Sequence, residues 1–289
     1  MITVFTPTYN RAYTLRKLYE SLCRQRFRDF EWLVVDDGSC DNTPDLLATF
    51  CREGCIALRV FRQENSGKHI AINKGVQEAR GELCFIVDSD DYLSDDALET
   101  MWHYYRDIQD DERFVGLSGV RATPDGKRIG GEVDFETLDC TILDFTCKYH
   151  YRGDMAEAYK TAVMRRFPFP VIPGEKFCGE SLIWNRMAQV GMLRYTNAKW
   201  YICEYRPDGL TAHITQVRMH SPRYAMLLYA EQARYRTNAL FRLKSLINFW
   251  RFAVLSRSSW QERIAMVGWA ALPLLLPGYL LHLRDISKQ

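Results

Sequence analysis

The sequence predicts an α/β fold, a mostly parallel sheet flanked by helices, with a helical region after it. Three observations predict this. Short, continuously apolar runs alternate with amphipathic stretches through the first 110 residues, the pattern of parallel strands covered on both faces. Polar clusters follow three of those runs directly, and both charge and composition change after residue 213.

The elements follow in order. Residues 2–6 form a β-rich run, after which Leu15, Leu18, Tyr19 and Leu22 recur at helical spacing. Trp32, Leu33, Val34 and Val35 make an apolar strand that ends in Asp36-Asp37-Gly38-Ser39. A helix is expected over 43–50, a strand over 56–61, a helix over 68–79, a strand over 83–87, and a helix over 95–105 opened by Ser94. Residues 114–164 are less regular. Pro124-Asp125-Gly126 and Gly130-Gly131 read as turns, and 127–133 as a strand. Pro168, Pro170 and Pro173 forbid a helix over 167–174 and suit a loop under the sheet, whereas Leu182, Ile183, Arg186 and Met187 predict a helix over 180–190.

Composition narrows the class. At 289 residues, with 47% hydrophobic and 13% aromatic content, the chain is no disordered polypeptide and is long enough to bury a sizeable core. The net charge of +2 averages two regions: residues 1–213 hold 27 Lys/Arg against 33 Asp/Glu, and 214–289 hold 11 against 3. A boundary at 213/214 follows. The nine cysteines are odd in number and scattered, several within apolar runs where Cys acts as a small hydrophobe; Cys51 and Cys55, a weak metal signal without a partner pair, are expected to pack a helix. No basic segment precedes an apolar one at the N-terminus, so a reducing, cytoplasmic setting is the expectation.

The chemistry concentrates at the strand exits, where ligands of open α/β sheets bind. Asp88-Ser89-Asp90-Asp91 crowds three carboxylates beyond a buried strand. Such repulsion is relieved by a divalent cation with hard oxygen ligands, Mn2+ or Mg2+, whose shell substrate phosphates complete. Favouring the next helix dipole accounts for Ser94, Asp95 and Asp96 but poorly for Asp88. Asp36 and Asp37 can accept from a base N–H or ribose hydroxyls, or simply form an Asx turn at Gly38.

Four motifs stand in order: Thr6-Pro7-Thr8-Tyr9-Asn10-Arg11, Val34-Val35-Asp36-Asp37-Gly38-Ser39, Asn65-x-Gly67-x-x-x-Ala71-x-Asn73-x-Gly75, and Asp88-Ser89-Asp90-Asp91. In order and spacing they resemble the inverting family 2 glycosyltransferases of GT-A fold, densely over residues 1–110 and loosely to about 210. The resemblance implies a catalytic domain over 1–213 and a nucleotide-sugar donor, most often a UDP-sugar. It implies that Thr6, Pro7 and Tyr9 line the base pocket, that Asp36 and Asp37 read base or ribose, and that Lys68 lies near the diphosphate. Asp88, Ser89 and Asp90 match the D-x-D motif, with Asp90 as the direct metal ligand and Asp88 bridging ribose and metal.

The family's base is usually the second acid of a pair opening a later helix. Here that position is Ser181, which has no useful basicity, so Glu180 is the first candidate and Glu175 the second. A base opposite the leaving group implies inversion at the anomeric carbon. His213 follows Asp208-Gly209-Leu210-Thr211 and is a possible third metal ligand; the other histidines show no ligand spacing.

Residues 214–263 carry nine basic and two acidic side chains interleaved with aromatics, and 264–281 carry no charge. This is the composition of basic amphipathic helices on anionic membranes, with Pro273 and Pro277-Gly278 expected to break a span midway. A buried helical pair is the alternative. No nucleic-acid module accompanies the basic residues. The expected function is therefore sugar transfer to a glycan or lipid-linked acceptor in surface-polysaccharide synthesis, at the inner face of the cell membrane. A sugar nucleotidyltransferase and a non-catalytic, donor-binding relative are the rivals; the latter is motivated by Ser181.

Overall fold

The structure is a computed structural model that describes residues 1–151, 153–204 and 214–287. It divides into two compact units, Met1–Pro168 with Arg186–Tyr205, and Phe169–Asn185 with Arg206–Gln289. Segment 169–185 thus groups with the C-terminal helices.

The first unit runs β1 (Ile2–Thr8), α1 (Ala12–Cys23), β2 (Phe30–Asp36), α2 (Thr43–Glu53), β3 (Leu58–Arg62), α3 (Lys68–Glu78), β4 (Leu83–Ile86), β5 (Tyr92–Leu93), α4 (Ala97–Arg106), β6 (Phe114–Ala122), β7 (Thr137–Cys140), α5 (Ile142–Cys147), β8 (Met155–Lys160) and α6 (Thr161–Arg166). After the short α7 (Ser181–Met187), β9 (Met192–Ile202) completes it. The described strands form one sheet in the order β3-β2-β1-β4-β8-β6-β9-β5, with β7 on β9. β1 to β4 are mutually parallel where they pair. β8 runs antiparallel to both its neighbours, so the sheet is mixed.

The parallel half forms where it was expected because its strands are apolar throughout: Ile2, Val4, Phe5, Trp32, Leu33, Val34 and Val35 are all fully buried. Each such aliphatic side chain contributes about 1.5–3 kcal/mol. Tyr19 of α1 stacks on Phe50 of α2 at 4.0 Å between centroids, over Trp32. α2 buries Leu47 and Phe50 and leaves Cys51 exposed, one position off the apolar stripe. Cys55 is exposed as well, so neither cysteine is the packing residue the sequence led us to expect.

Two elements differ from expectation. The strand expected over 127–133 reduces to one bridge between Ala122 and Arg128. The Thr123–Lys127 turn closes it (Thr123 N–H to Lys127 O, 2.8 Å), and Gly130 and Gly131, both at positive φ, end the ladder after that pair. The helix expected over 180–190 ends at Met187, because the chain must reach Met192 for β9.

The second unit contains α8 (Ile214–Met219), α9 (Pro222–Arg234), α10 (Ala239–Ala253), α11 (Trp260–Val267), a 3-10 turn (Trp269–Leu274) and α12 (Leu275–Ile286). Met226, Ala230, Phe249, Trp250 and Ala253 form its core. Pro277 does not interrupt α12; it sits in the first turn, where its missing N–H has no intrahelical partner to lose. No single described helix is long and apolar enough to cross a membrane; Trp260–Val267 and Trp269–Ile286 meet at a bend of 103°.

Candidate active site

Register brings the polar clusters of the first unit together. Thr8 of β1 pairs with Asp36 of β2, and Phe5 pairs with Ile86 of β4. The three strands therefore deliver residues 8–11, 36–39 and 88–91 to one edge, their carboxyl ends. Thr6 is fully buried and its Oγ1 accepts from Trp32 Nε1 at 3.0 Å, so its side chain braces the core. Pro7 is buried within the strand, and Tyr9 beyond it is 46% exposed at the edge.

The first two loops are clamped together, chiefly by Asn10, a motif residue to which the sequence assigned no role. Asn10, at φ 52°, accepts through Oδ1 from the Cys40 and Asp41 N–H groups (2.9 and 3.3 Å) and donates its own N–H to Ser39 Oγ (2.8 Å). Asp36 Oδ1 accepts from Ser39 N–H at 2.9 Å, and its other oxygen lies 3.5 Å from Arg62 Nε. Asp37 accepts from Gln63 Nε2 (2.7 Å), Ser66 N–H (2.9 Å) and Gly67 N–H (2.8 Å). The Asp-Asp pair thus holds the loops that surround the edge. Gly38 is obligatory here: φ is +82°, and a Cβ would come within 2.9 Å of the Asn65 backbone nitrogen.

That geometry delivers Lys68. It opens α3 directly after Gly67, and its Nζ lies 2.6 Å from Asp88 Oδ1. α3 lies close on β1, since a Cβ on Gly75 would meet the Phe5 ring at 2.1 Å. Burial works to raise the Asp88 proton affinity, but the Lys68 ammonium and the Arg121 guanidinium outweigh it and hold the carboxyl below its usual range. Ser89 is buried and Asp90 half-buried. Asp91 goes the other way, pushed up to about 7 by burial and by Asp88 and Asp90 beside it.

Arg121 and Tyr201 belong to this cluster although both lie outside the dense motifs. Tyr201 of β9 is fully buried, and its hydroxyl accepts from the Asp88 N–H at 2.9 Å. Arg121 of β6 lies over the Tyr201 ring at 4.4 Å and donates from Nε to Met155 O at 2.9 Å. A signal was present: Arg121 is the one charge in the strand FVGLSGVRA.

The carboxylates fit a hard divalent cation. Among the described residues no three His, Cys, Asp or Glu side chains form a ready-made cage. Mg2+ and Mn2+ do not need one, since one or two carboxylates plus substrate phosphates suffice. Burial is the larger cause of the raised Asp91, and the Asp88 and Asp90 charges, which such an ion would offset, add to it.

In the second unit Glu175 accepts from the Arg223 and Tyr224 N–H groups at 2.9 and 3.0 Å. Both its oxygens satisfy the start of α9, a helix-capping role. Glu180 precedes α7, and its carbonyl accepts from Ile183 and Trp184 N–H at 3.0 and 3.1 Å. Trp184 is buried, edge-on to Phe169 at 6.4 Å. His213 and the 208–211 stretch before it lie outside the described residues.

Residues 3–130 match the profile of the family described as Glycosyl transferase family 2. Among curated relatives, glycosyltransferase GlyG of Streptococcus pneumoniae is 34% identical over 116 residues, 40% of this chain and 37% of that protein. An undecaprenyl-phosphate 4-deoxy-4-formamido-L-arabinose transferase of Pseudomonas paraeruginosa is 38% identical over 94 residues, 31% of this chain and 28% of that one. The chain therefore spans about a third of the length of these relatives. Among solved structures, residues 1–349 of S. aureus TarS in complex with UDP superpose with a TM-score of 0.65 at 17% identity, covering 100% of this chain and 92% of that one. The mixed sheet with flanking helices and the helical C-terminal region is a GT-A fold.

Proposed function

We propose that this chain, which carries a family 2 glycosyltransferase domain in a GT-A fold, moves a sugar from a nucleotide-sugar donor to a hydroxyl of a glycan or lipid-linked acceptor in cell-surface polymer synthesis. The observation that carries the reading is the alignment of three strand exits, with the Lys68 ammonium 2.6 Å from the Asp88 carboxylate. Comparison supports a UDP-sugar, because TarS has been solved with UDP and with UDP-GlcNAc.

In this reading Tyr9 stacks on the base at the edge, and Asp37 reads base or ribose from a loop already fixed by its own hydrogen bonds. Lys68 exchanges its contact with Asp88 for the donor diphosphate, which offers the same charge-assisted bond. Asp90, with Asp88, would hold Mn2+ or Mg2+, which when bound neutralises charge on the departing diphosphate. Transfer is a single displacement with inversion. Glu180 is assigned as the base from the sequence pattern, since Glu175 is engaged at the start of α9.

Screening nucleotide-sugars for thermal stabilisation with Mn2+, then assaying slow donor hydrolysis with the best hit, tests the reading. A UDP-sugar is expected to stabilise and to be hydrolysed. Asp90→Ala should abolish hydrolysis with the unfolding midpoint unchanged; full activity of that variant without divalent metal would sink the site. Glu180→Gln should lower turnover about 100-fold or more while donor affinity holds. Release of pyrophosphate from a nucleoside triphosphate and a sugar phosphate would instead identify a nucleotidyltransferase.

A further inference from the structure

We propose that the outward face of α12, with the turn before it, docks on an anionic phospholipid bilayer as a peripheral surface. The inference goes beyond sugar transfer and does not depend on it.

The face is apolar and exposed. Leu276, Leu280 and Leu283 lie at i, i+4 and i+7 along α12 and are 63%, 57% and 43% exposed, with Trp269 and Leu272 in the preceding turn at 74% and 38%. A contiguous exposed apolar stripe marks an interaction surface. Nor is the helix adrift. Gly278 lets its opposite face lie against α10, where a Cβ would meet Trp250 Cβ at 2.6 Å and Ile247 O at 2.8 Å. Arg251 holds Asp285 through two nitrogens at 2.5 and 2.7 Å, and His282 is buried on the same side. The rotation of α12 is thus set by its packing, and that packing turns the leucines outward.

Charge selects the occupant. Residues 214–287 carry ten Lys/Arg against three acids. Arg284 is exposed one turn beyond Leu280, and Arg236, Lys244 and Arg257 are exposed on the same unit. A second copy would meet this charge with its own, whereas anionic headgroups complement it. Trp260, 56% exposed with the Arg263 guanidinium 5.3 Å from its ring centre, adds an aromatic with a cation beside it, suited to the headgroup layer. The 103° bend between the apolar helices suits lying in the interface rather than crossing it.

Flotation of the full chain tests this with vesicles of phosphatidylcholine alone and of phosphatidylcholine with about a third phosphatidylglycerol, at about 0.1 and 0.5 M salt. Binding to the anionic vesicles is expected to exceed that to neutral ones by about tenfold and to weaken at high salt. Leu276→Ser combined with Leu280→Ser should reduce it about tenfold. A brominated lipid should quench tryptophan emission, and Trp269→Phe should remove much of that quenching, a readout that reports on bound, folded protein. No binding, equal binding to neutral vesicles, or binding indifferent to the paired serines overturns the proposal. So does a concentration-dependent dimer abolished by the serines, which would make a second copy the occupant. Flotation reads no sugar transfer, so its failure leaves the glycosyltransferase reading standing.

Discussion

Two cations hold Asp88 in its ionised form. Lys68 does so at 2.6 Å, and Arg121 acts from β6, which β8 separates from β4. Replacing Arg121 with Leu removes one of them beside the fully buried Tyr201 ring, so donor hydrolysis should fall by about 10-fold or more, with Arg121→Lys retaining more activity than the Leu variant. Equal rates for the two variants would show that the charge does not matter. His69, the residue after Lys68, supplies a stability test. Burial lowers its pKa to about 4, outweighing the Asp37 charge that works to raise it. The unfolded chain, near the ordinary 6.5, therefore takes up this proton first as pH falls. The neutral ring's contribution is complete above the unfolded value and is lost on descent towards the folded one, by about 2 kcal/mol near pH 5. Urea unfolding between those limits should show a shallower pH slope in His69→Gln; identical slopes would remove the role. These residues also show what the sequence could say of the site. That Asp37, Asp88 and Asp90 stand together at the strand exits was legible because acids after apolar strands stand out. That Thr6 braces Trp32 was not, since a hydroxyl side chain in a strand does not reveal its partner.

At the scale of elements, α3 is the part on which the site depends, because it begins at Lys68 and lies on β1 through Gly75. Gly75→Ala places a methyl where the Phe5 ring stands, 2.1 Å away. Overpacking of this kind costs about 1–3 kcal/mol, so the melting point should drop by several degrees, and donor affinity should fall with it as Lys68 shifts. Gly54→Asn is the control: its φ of +63° is one asparagine tolerates and nothing lies within 4 Å, so little change is expected. If both substitutions prove equally mild, the close α3–β1 contact is not what holds the element. β1 to β4 and their helices were legible because parallel, doubly covered strands are continuous apolar runs in sequence. The other half of the sheet was not. β9 pairs with β5, β6 and β7, and its register to β6 shifts three times, so no local period describes it. Arg121 and Tyr201 sit on those strands, and for that reason they escaped the sequence reading.

For the molecule as a whole, the +2 net charge conceals two units with separate cores, one around Trp32 and Phe85 and one around Phe249 and Trp250. The acids proposed to meet donor and cation belong to the first core, and the basic, apolar helices belong to the second. A donor should therefore stabilise the chain unevenly. A ligand at about 100 times its Kd adds about 2.7 kcal/mol to whatever must unfold to release it. If the donor is held by the ends of β1, β2 and β4, that increment protects amides of the parallel sheet and of α3, which must open for the site to disassemble. Amides of α10 and α12, whose pairing rests on Gly278 and the Arg251–Asp285 pair, have no such linkage. Hydrogen exchange with UDP and Mn2+ should accordingly slow in residues 2–8, 30–36 and 68–78 by up to about 100-fold, with 239–253 and 275–286 unchanged. Protection spread equally over both sets would mean that the two units unfold as one and that the division of charge does not mark a division of labour.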